Sequence, residues 1–202
     1  MLKVKHFIEQ SWLLIVASFI FGLLVAVTYA SWKPRIDQNE KDKLNNLMRF
    51  MITDANSFEI AVRDAEINTG KGKILKTNIY KALYTDGRTL GYAFVAVGSG
   101  FADKIKLVIA TDIHCEKVFG FKVLASNETP GFGSKITEDF YTNQFKGAPA
   151  TELIVSKTGD PEIIDDKIIT ISGATVSSEA VVKIFNTFIA QIKQKLEEQG
   201  LI

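Results

Sequence analysis

The chain has 202 residues, 24 Lys and Arg against 23 Asp and Glu, a net charge of +1, and 47% hydrophobic residues. That is room for one modest globular domain plus an accessory segment, and the chain is too apolar and too evenly charged to be disordered. Balanced charge, with no basic stripe interleaved with aromatics, excludes nucleic acid as a partner.

Between Gln10 and Trp32 no charged residue occurs, and the run "WLLIVASFIFGLLVAVTYA" is apolar nearly all round. About 20 residues at ~1.5 Å each span the ~30 Å hydrocarbon layer of a membrane. Trp12, Tyr29 and Trp32 suit the interfacial aromatic belt. A transmembrane helix is therefore predicted over 11–32, behind a tail of residues 1–10. Thr28-Tyr29-Ala30 loosely resembles a cleavage site, but the run exceeds the about 7–15 apolar residues of a signal peptide. Lys3 and Lys5 before the span are balanced by Lys33 and Arg35 after it, so charge bias does not orient it. The short tail favours an N-terminus in the cytoplasm and the bulk of the chain outside.

A juxtamembrane helix or linker is predicted over 33–57, charged at first and then carrying Leu44, Leu47, Met48 and Met51 at helical spacing. A β-rich domain, 58–202, follows. Strands are expected at 58–62, 79–85, 90–98, 104–112 and 117–126, some separated by short turns at Asp86-Gly87 and His114-Cys115, which favours antiparallel pairing. A helix is expected over 135–145, strands near 151–155 and 167–171, and a long helix after Thr175. In that helix Val181, Ile184, Phe185, Phe188, Ile189, Ile192 and Leu196 recur at three and four residues. The fold class is α+β: a mostly antiparallel twisted sheet with packed helices.

The "GKGK" around Gly70 lacks the spacing of a phosphate loop and reads as a surface turn. His6 and His114 have no ligand-spaced companions and Cys115 is alone, so neither a metal site nor an internal disulfide is expected.

Two stretches hold more special residues than their local structure needs. In "ISGATVSSEAVVKIF" several hydroxyls crowd a helix start, where backbone N–H groups are unpaired and an anion is favoured. Thr175 there is either an ordinary N-cap or an oxygen presented to a phosphate. Gly173 lets the backbone pass close by, Ala174 avoids a clash, and Ser172, Ser177 and Ser178 add hydroxyls. The second stretch is "NETPGFGSKI": Pro130 fixes one backbone angle, Gly131 and Gly133 permit close approach, Phe132 offers apolar area, and Glu128 and Thr129 are polar.

The order of these pieces, from "YAFVAVGSGFADKIKLVIATD" through Glu-Thr-Pro-Gly-x-Gly to Ser-Gly-Ala-Thr, resembles the FMN-binding domain of redox-driven ion pumps. With its single anchor and length, the chain looks most like the G subunits of Rnf electron-transport complexes. The resemblance implies FMN bound covalently through a phosphoester to Thr175, made by a separate flavin transferase, with the 172–178 segment at the phosphate and 128–133 at the isoalloxazine. It further implies an electron relay without independent turnover, in a complex that couples ferredoxin and NAD oxidoreduction to sodium or proton movement, its soluble domain outside the cytoplasmic (inner) membrane. One departure stands out. The family pattern has an aspartate a few residues before the Ser/Thr, whereas Ile169 and Thr170 lie there and Asp165 and Asp166 further back. Alternatives are the related C subunit of the sodium-translocating NADH:quinone oxidoreductase and a cofactor-free, membrane-tethered assembly module.

Overall fold

The computed structural model describes residues 2–70 and 72–202, with side chains from Ser11 onward; Lys71 of the "GKGK" turn and the side chains of the 1–10 tail lie outside the described residues. The chain divides into two compact units, residues 1–43 and 44–202. Helix α1 runs Leu2–Met51. A stretch of it is long and apolar enough to cross a membrane, and no residue of its most apolar window is buried. Two separate elements are expected over 11–57, but one helix covers the range to Met51. The run from Leu23 to Met51 contains no glycine and a single proline, Pro34, and the Lys, Glu, Leu and Met that follow favour helix.

In the second unit, five strands form one antiparallel meander in chain order: β1 (Ser57–Asn68), β2 (Ile74–Leu83), β3 (Thr89–Ser99), β4 (Lys104–Asp112) and β5 (Val118–Ala125). Nine consecutive pairs, Gly91 with Asp112 through Ser99 with Lys104, make β3 and β4 its most regular ladder. β1 is bulged twice, and Asp64 takes a φ of 49° there, its N–H donating to Asn78 Oδ1 at 3.0 Å.

Both faces of the central strands are covered, which is why β3 and β4 read as nearly continuous apolar runs. Alternate residues serve opposite faces. Phe94, Leu107, Ile109 and Phe121 join a large core with α3 (Thr175–Glu198), whereas Ala93, Val108 and Ala110 pack with Met48, Ile52 and Ala55 from the end of α1 and just beyond. All seven apolar α3 positions singled out by period are buried.

The helix expected over 135–145 is broken. A 3₁₀ turn at Gly133–Thr137 is followed by an extended Glu138 (φ −73°, ψ 146°), a one-turn helix α2 (Asp139–Thr142) and a second 3₁₀ turn at Asn143–Phe145. What holds the segment is packing rather than helical hydrogen bonding. Tyr141 and Phe145 stack edge-on against Phe121, with ring centroids 6.3 and 4.7 Å away, and Phe145 meets Phe185 of α3 at 4.7 Å.

The two late strands, β6 (Ile154–Ser156) and β7 (Lys167–Ile169), pair with each other in parallel, apart from the main sheet. Side-chain amides hold their ends. Asn186 of α3 exchanges two hydrogen bonds with the backbone of Leu153 (2.9 and 2.8 Å), and buried Gln144 does the same with Ile169 (2.7 and 3.2 Å). Each amide acts as a one-residue strand, completing a ladder too short to stand alone.

Candidate functional site

Strand β7, fixed by Gln144, delivers the chain into the turn at Ile171 to Ala174, which starts α3. The Ala174 N–H closes this turn on the Ile171 carbonyl at 2.9 Å, with Gly173 at a φ of 79°. Helix α3 opens on Ala174 as N-cap, with no side-chain cap bond. Thr175 is thus not the capping residue; it is the first helical residue, half-buried, and its hydroxyl makes no hydrogen bond among the described residues. Alanine is a poor N-cap. The N–H groups of Thr175, Val176 and Ser177, which like those of any helix start lack an intrahelical acceptor, thus gain none from a cap side chain, and they form the positive end of a 24-residue helix.

The other hydroxyls of the segment are mostly employed. Ser178 is fully buried; its Oγ donates to the Ala174 carbonyl and accepts the Ile171 N–H, both at 3.0 Å. Tyr141 donates to the Ser178 carbonyl at 3.0 Å, and burial pushes its phenol above the ordinary range, so it stays a neutral donor. Ser177 Oγ donates to Glu128 Oε2 at 2.6 Å. Ser172 is exposed, without a side-chain hydrogen bond among the described residues.

The second stretch folds onto this helix start. Phe132 and Ser134 both donate from the backbone to the Thr129 carbonyl (3.2 and 3.1 Å), and the Gly131 N–H donates to Ser134 Oγ at 3.0 Å, giving a self-bonded loop with Gly131 at a φ of 75°. Its N-terminal end is tied to the β3–β4 turn. Asn127 donates to Asp103 at 2.9 Å, holding that carboxyl below its usual range, and the Ala102 N–H donates to Glu128 Oε1 at 3.1 Å.

Between them lies a cleft of about 380 Å³ lined by Phe101, Thr129, Phe132, Gly133, Gly173, Ala174, Thr175, Val176 and Ser177, within the ~300–1,000 Å³ typical of small-molecule sites. Both motifs meet in it, although some forty residues of chain separate them. Of the residues singled out from the sequence, Thr129, Phe132, Gly133, Gly173, Ala174, Thr175 and Ser177 line the cleft, while Ser172, Ser178, Glu128, Pro130 and Gly131 do not. Sequence reasoning misses Phe101 and Val176, and with them Gly100 and Ala102 beside Phe101; the Gly-Ser-Gly-Phe turn is the available signal. Phe101, Phe132 and Val176 are each more than half exposed, an apolar rim around a polar floor.

The arrangement fits FMN chemically. Helix N–H groups unpaired among the described residues suit a phosphate, the Thr175 hydroxyl stands among them, and Phe101 and Phe132 add apolar area for a flat heteroaromatic ring. Among the described residues no group of His, Cys, Asp and Glu is placed to hold a metal ion.

The FMN-binding domain family matches residues 100–190, which contain every residue of the cleft. Along 89% of its length the chain is 28% identical to the G subunit of the proton-translocating ferredoxin:NAD(+) oxidoreductase complex of Clostridium ljungdahlii, covering 88% of that protein. It is 27% identical to the G subunit of the ion-translocating oxidoreductase complex of Methanosarcina acetivorans, over 84% of this chain and 85% of that one. Its fold is similar to that of the C subunit of the Na(+)-translocating NADH-quinone reductase of Parabacteroides distasonis, with a TM-score of 0.56 at 19% identity over 77% of this chain and 92% of that one. Residues 100–190 thus match the FMN-binding domain family, and along most of its length the chain is similar to G subunits of ion-translocating oxidoreductase complexes.

Proposed function

We propose that the chain is a membrane-anchored flavoprotein subunit that relays electrons through FMN esterified to Thr175, within an ion-translocating ferredoxin:NAD oxidoreductase of the Rnf type. The observation that carries this reading is the start of α3. Among the described residues, an alanine-capped helix presents three N–H groups without a partner to a cleft, and of the four hydroxyls there only that of Thr175 both lines the cleft and makes no hydrogen bond.

Bound FMN supplies the electron-transfer chemistry that the side chains themselves lack. The chain's residues do the rest. Thr175 Oγ would be the acceptor in a transfer from a flavin–nucleotide pyrophosphate catalysed by a flavin transferase: the Oγ–phosphorus bond forms as the pyrophosphate bond breaks, a nucleoside monophosphate leaves, and the hydroxyl proton passes to solvent. The first-turn N–H groups hold the phosphate oxygens, Gly173 keeps the backbone clear of Phe132, and Phe101 and Phe132 provide apolar surface for the ring. A tether of this kind keeps the cofactor at high effective concentration on the outer face of the membrane, where free flavin is scarce. The relatives that align over nearly the whole chain are G subunits, which favours this reading over the C subunit of the NADH:quinone pump; the likeness to the latter is one of fold.

Intact mass tests the cofactor. The chain produced with a flavin transferase should carry one added FMN that survives denaturation, and the chain produced without it should not. A purified complex active in electron transfer whose G-type chain has only its polypeptide mass overturns the covalent reading.

The apolar part of α1 fits an anchor, and we place residues 33–202 on the extracytoplasmic side of the membrane. Cys115 is 2% exposed and burial pushes its thiol pKa up, so it stays silent to thiol reagents. Cysteine at exposed Lys157 supplies a reporter. In intact cells whose outer barrier admits the reagent, Lys157→Cys should react with a membrane-impermeant maleimide; reaction only after the cytoplasmic membrane is broken reverses the topology.

A further inference from the structure

We propose that Glu128 is the positioning residue of the FMN cleft: its carboxylate clamps the turn at 100–102 and the loop at 127–133 to the first turn of α3, and so sets the width of the cleft between them. What it implies for the flavin rests on the FMN reading above; what it implies for the bare chain does not.

Glu128 belongs to the loop expected at the isoalloxazine, and in the structure it is 5% exposed and outside the lining of the cleft. Each oxygen serves a different segment. Oε1 accepts the Ala102 N–H at 3.1 Å and Oε2 accepts the Ser177 hydroxyl at 2.6 Å, partners 26 positions before and 49 positions after it in the chain. A carboxyl buried this deeply needs such donors, because a buried acceptor left without a partner costs its desolvation in full.

A second observation points the same way. A Cβ placed on Gly133 would stand 2.7 Å from Oε2, and one placed on Gly100 would collide with Oε1. Backbone therefore presses on the carboxylate from two sides, closer than any other residue allows. Phe101 follows one of these glycines and Phe132 precedes the other, so the rings at the rim are carried by the two segments that Glu128 joins.

The replacement chemistry separates shape from mere presence. In Glu128→Gln the amide oxygen still accepts from Ala102, and the amide N–H donates to Ser177, whose hydroxyl rotates to accept. In Glu128→Ala both contacts vanish and the Ala102 N–H loses its partner. Ser177→Ala releases only the helix side.

Two measurements decide it. In the flavin-free chain, Glu128→Ala should speed backbone hydrogen exchange at Ala102 and across 127–133 by about tenfold or more. In the flavin-loaded chain it should weaken the visible circular dichroism of the flavin, which reports a ring held in one asymmetric setting. Glu128→Gln should recover both, and Ser177→Ala should loosen 127–133 while sparing Ala102. Unchanged exchange and dichroism in Glu128→Ala, or a Gln variant as impaired as Ala, overturns the proposal. Should Glu128→Ala not fold, Ser177→Ala decides: unaltered exchange over 127–133 overturns the clamp. A wild-type chain that never takes up flavin defeats the FMN reading alone, since the exchange measurement still tests the clamp.

Discussion

Thr175→Ala is expected to abolish covalent flavin while leaving the fold untouched. The side chain removed makes no hydrogen bond among the described residues and is not the N-cap, a position held by Ala174. Alanine is also the better helix former, so the stability change should stay within about 0.5 kcal/mol. In-gel flavin fluorescence after denaturation, run beside the wild-type chain, should show no band for the variant, with thermal melting unshifted. Thr175→Ser keeps the oxygen and loses the methyl that restricts its rotamer, so partial attachment is expected. A fluorescent Thr175→Ala band would move the ester elsewhere. The structure orders the remaining candidates: Ser172 is exposed and unused, whereas the Ser177 and Ser178 hydroxyls are buried and engaged with Glu128 and with the Ala174 carbonyl.

The crowding of hydroxyls that marks this segment therefore has a divided explanation, and the division shows what a sequence can carry. That α3 is a helix follows from a period sustained over about four turns, and the five-stranded sheet follows from long apolar runs broken by turns. The pairing of Ser178 with Ile171 and Ala174 is local, yet it cannot be distinguished by eye from a cap. The Glu128–Ser177 and Glu128–Ala102 bonds are long-range, and nothing in the residue types around Glu128 announces which segments will meet it. The helix expected over 135–145 fails for a related reason. Its aromatic residues are placed to reach Phe121 and Phe185, and that packing outweighs helical continuity through Thr137 and Glu138. Strands β6 and β7, three residues each, are too short to display any period and rely on borrowed amides from Asn186 and Gln144. The two motifs are legible as motifs because glycine, proline and hydroxyls in fixed order are rare by chance. Which glycine matters is not.

Gly131 and Gly133 look equivalent in "ETPGFG", and the structure gives them opposite roles. Gly131 has a φ of 75° and open space where a Cβ would stand. Gly131→Val therefore meets only backbone strain, about 1–2 kcal/mol for a left-handed position, in a loop whose residue 131 does not line the cleft. Flavin attachment and the flavin's visible dichroism should persist. Gly133 is buried, and its Cβ would stand 2.7 Å from Glu128 Oε2 and 2.8 Å from Ser177 Oγ. Neither neighbour is a free side-chain end, since each holds the other and Glu128 also holds Ala102. Valine there must part the carboxylate from the hydroxyl, which costs about 1–3 kcal/mol for the overpacking and more for the bonds lost. It also displaces the cleft wall from the start of α3. Gly133→Val should thus lower the melting temperature markedly and abolish or scramble the flavin's visible dichroism, with attachment at Thr175 reduced. Gly133→Ala, which adds the Cβ alone, should show the same defects in weaker form. Equal effects at 131 and 133 would mean that the loop matters only for its flexibility; a harmless Gly133→Val would mean that the carboxylate and the helix start are free to move apart.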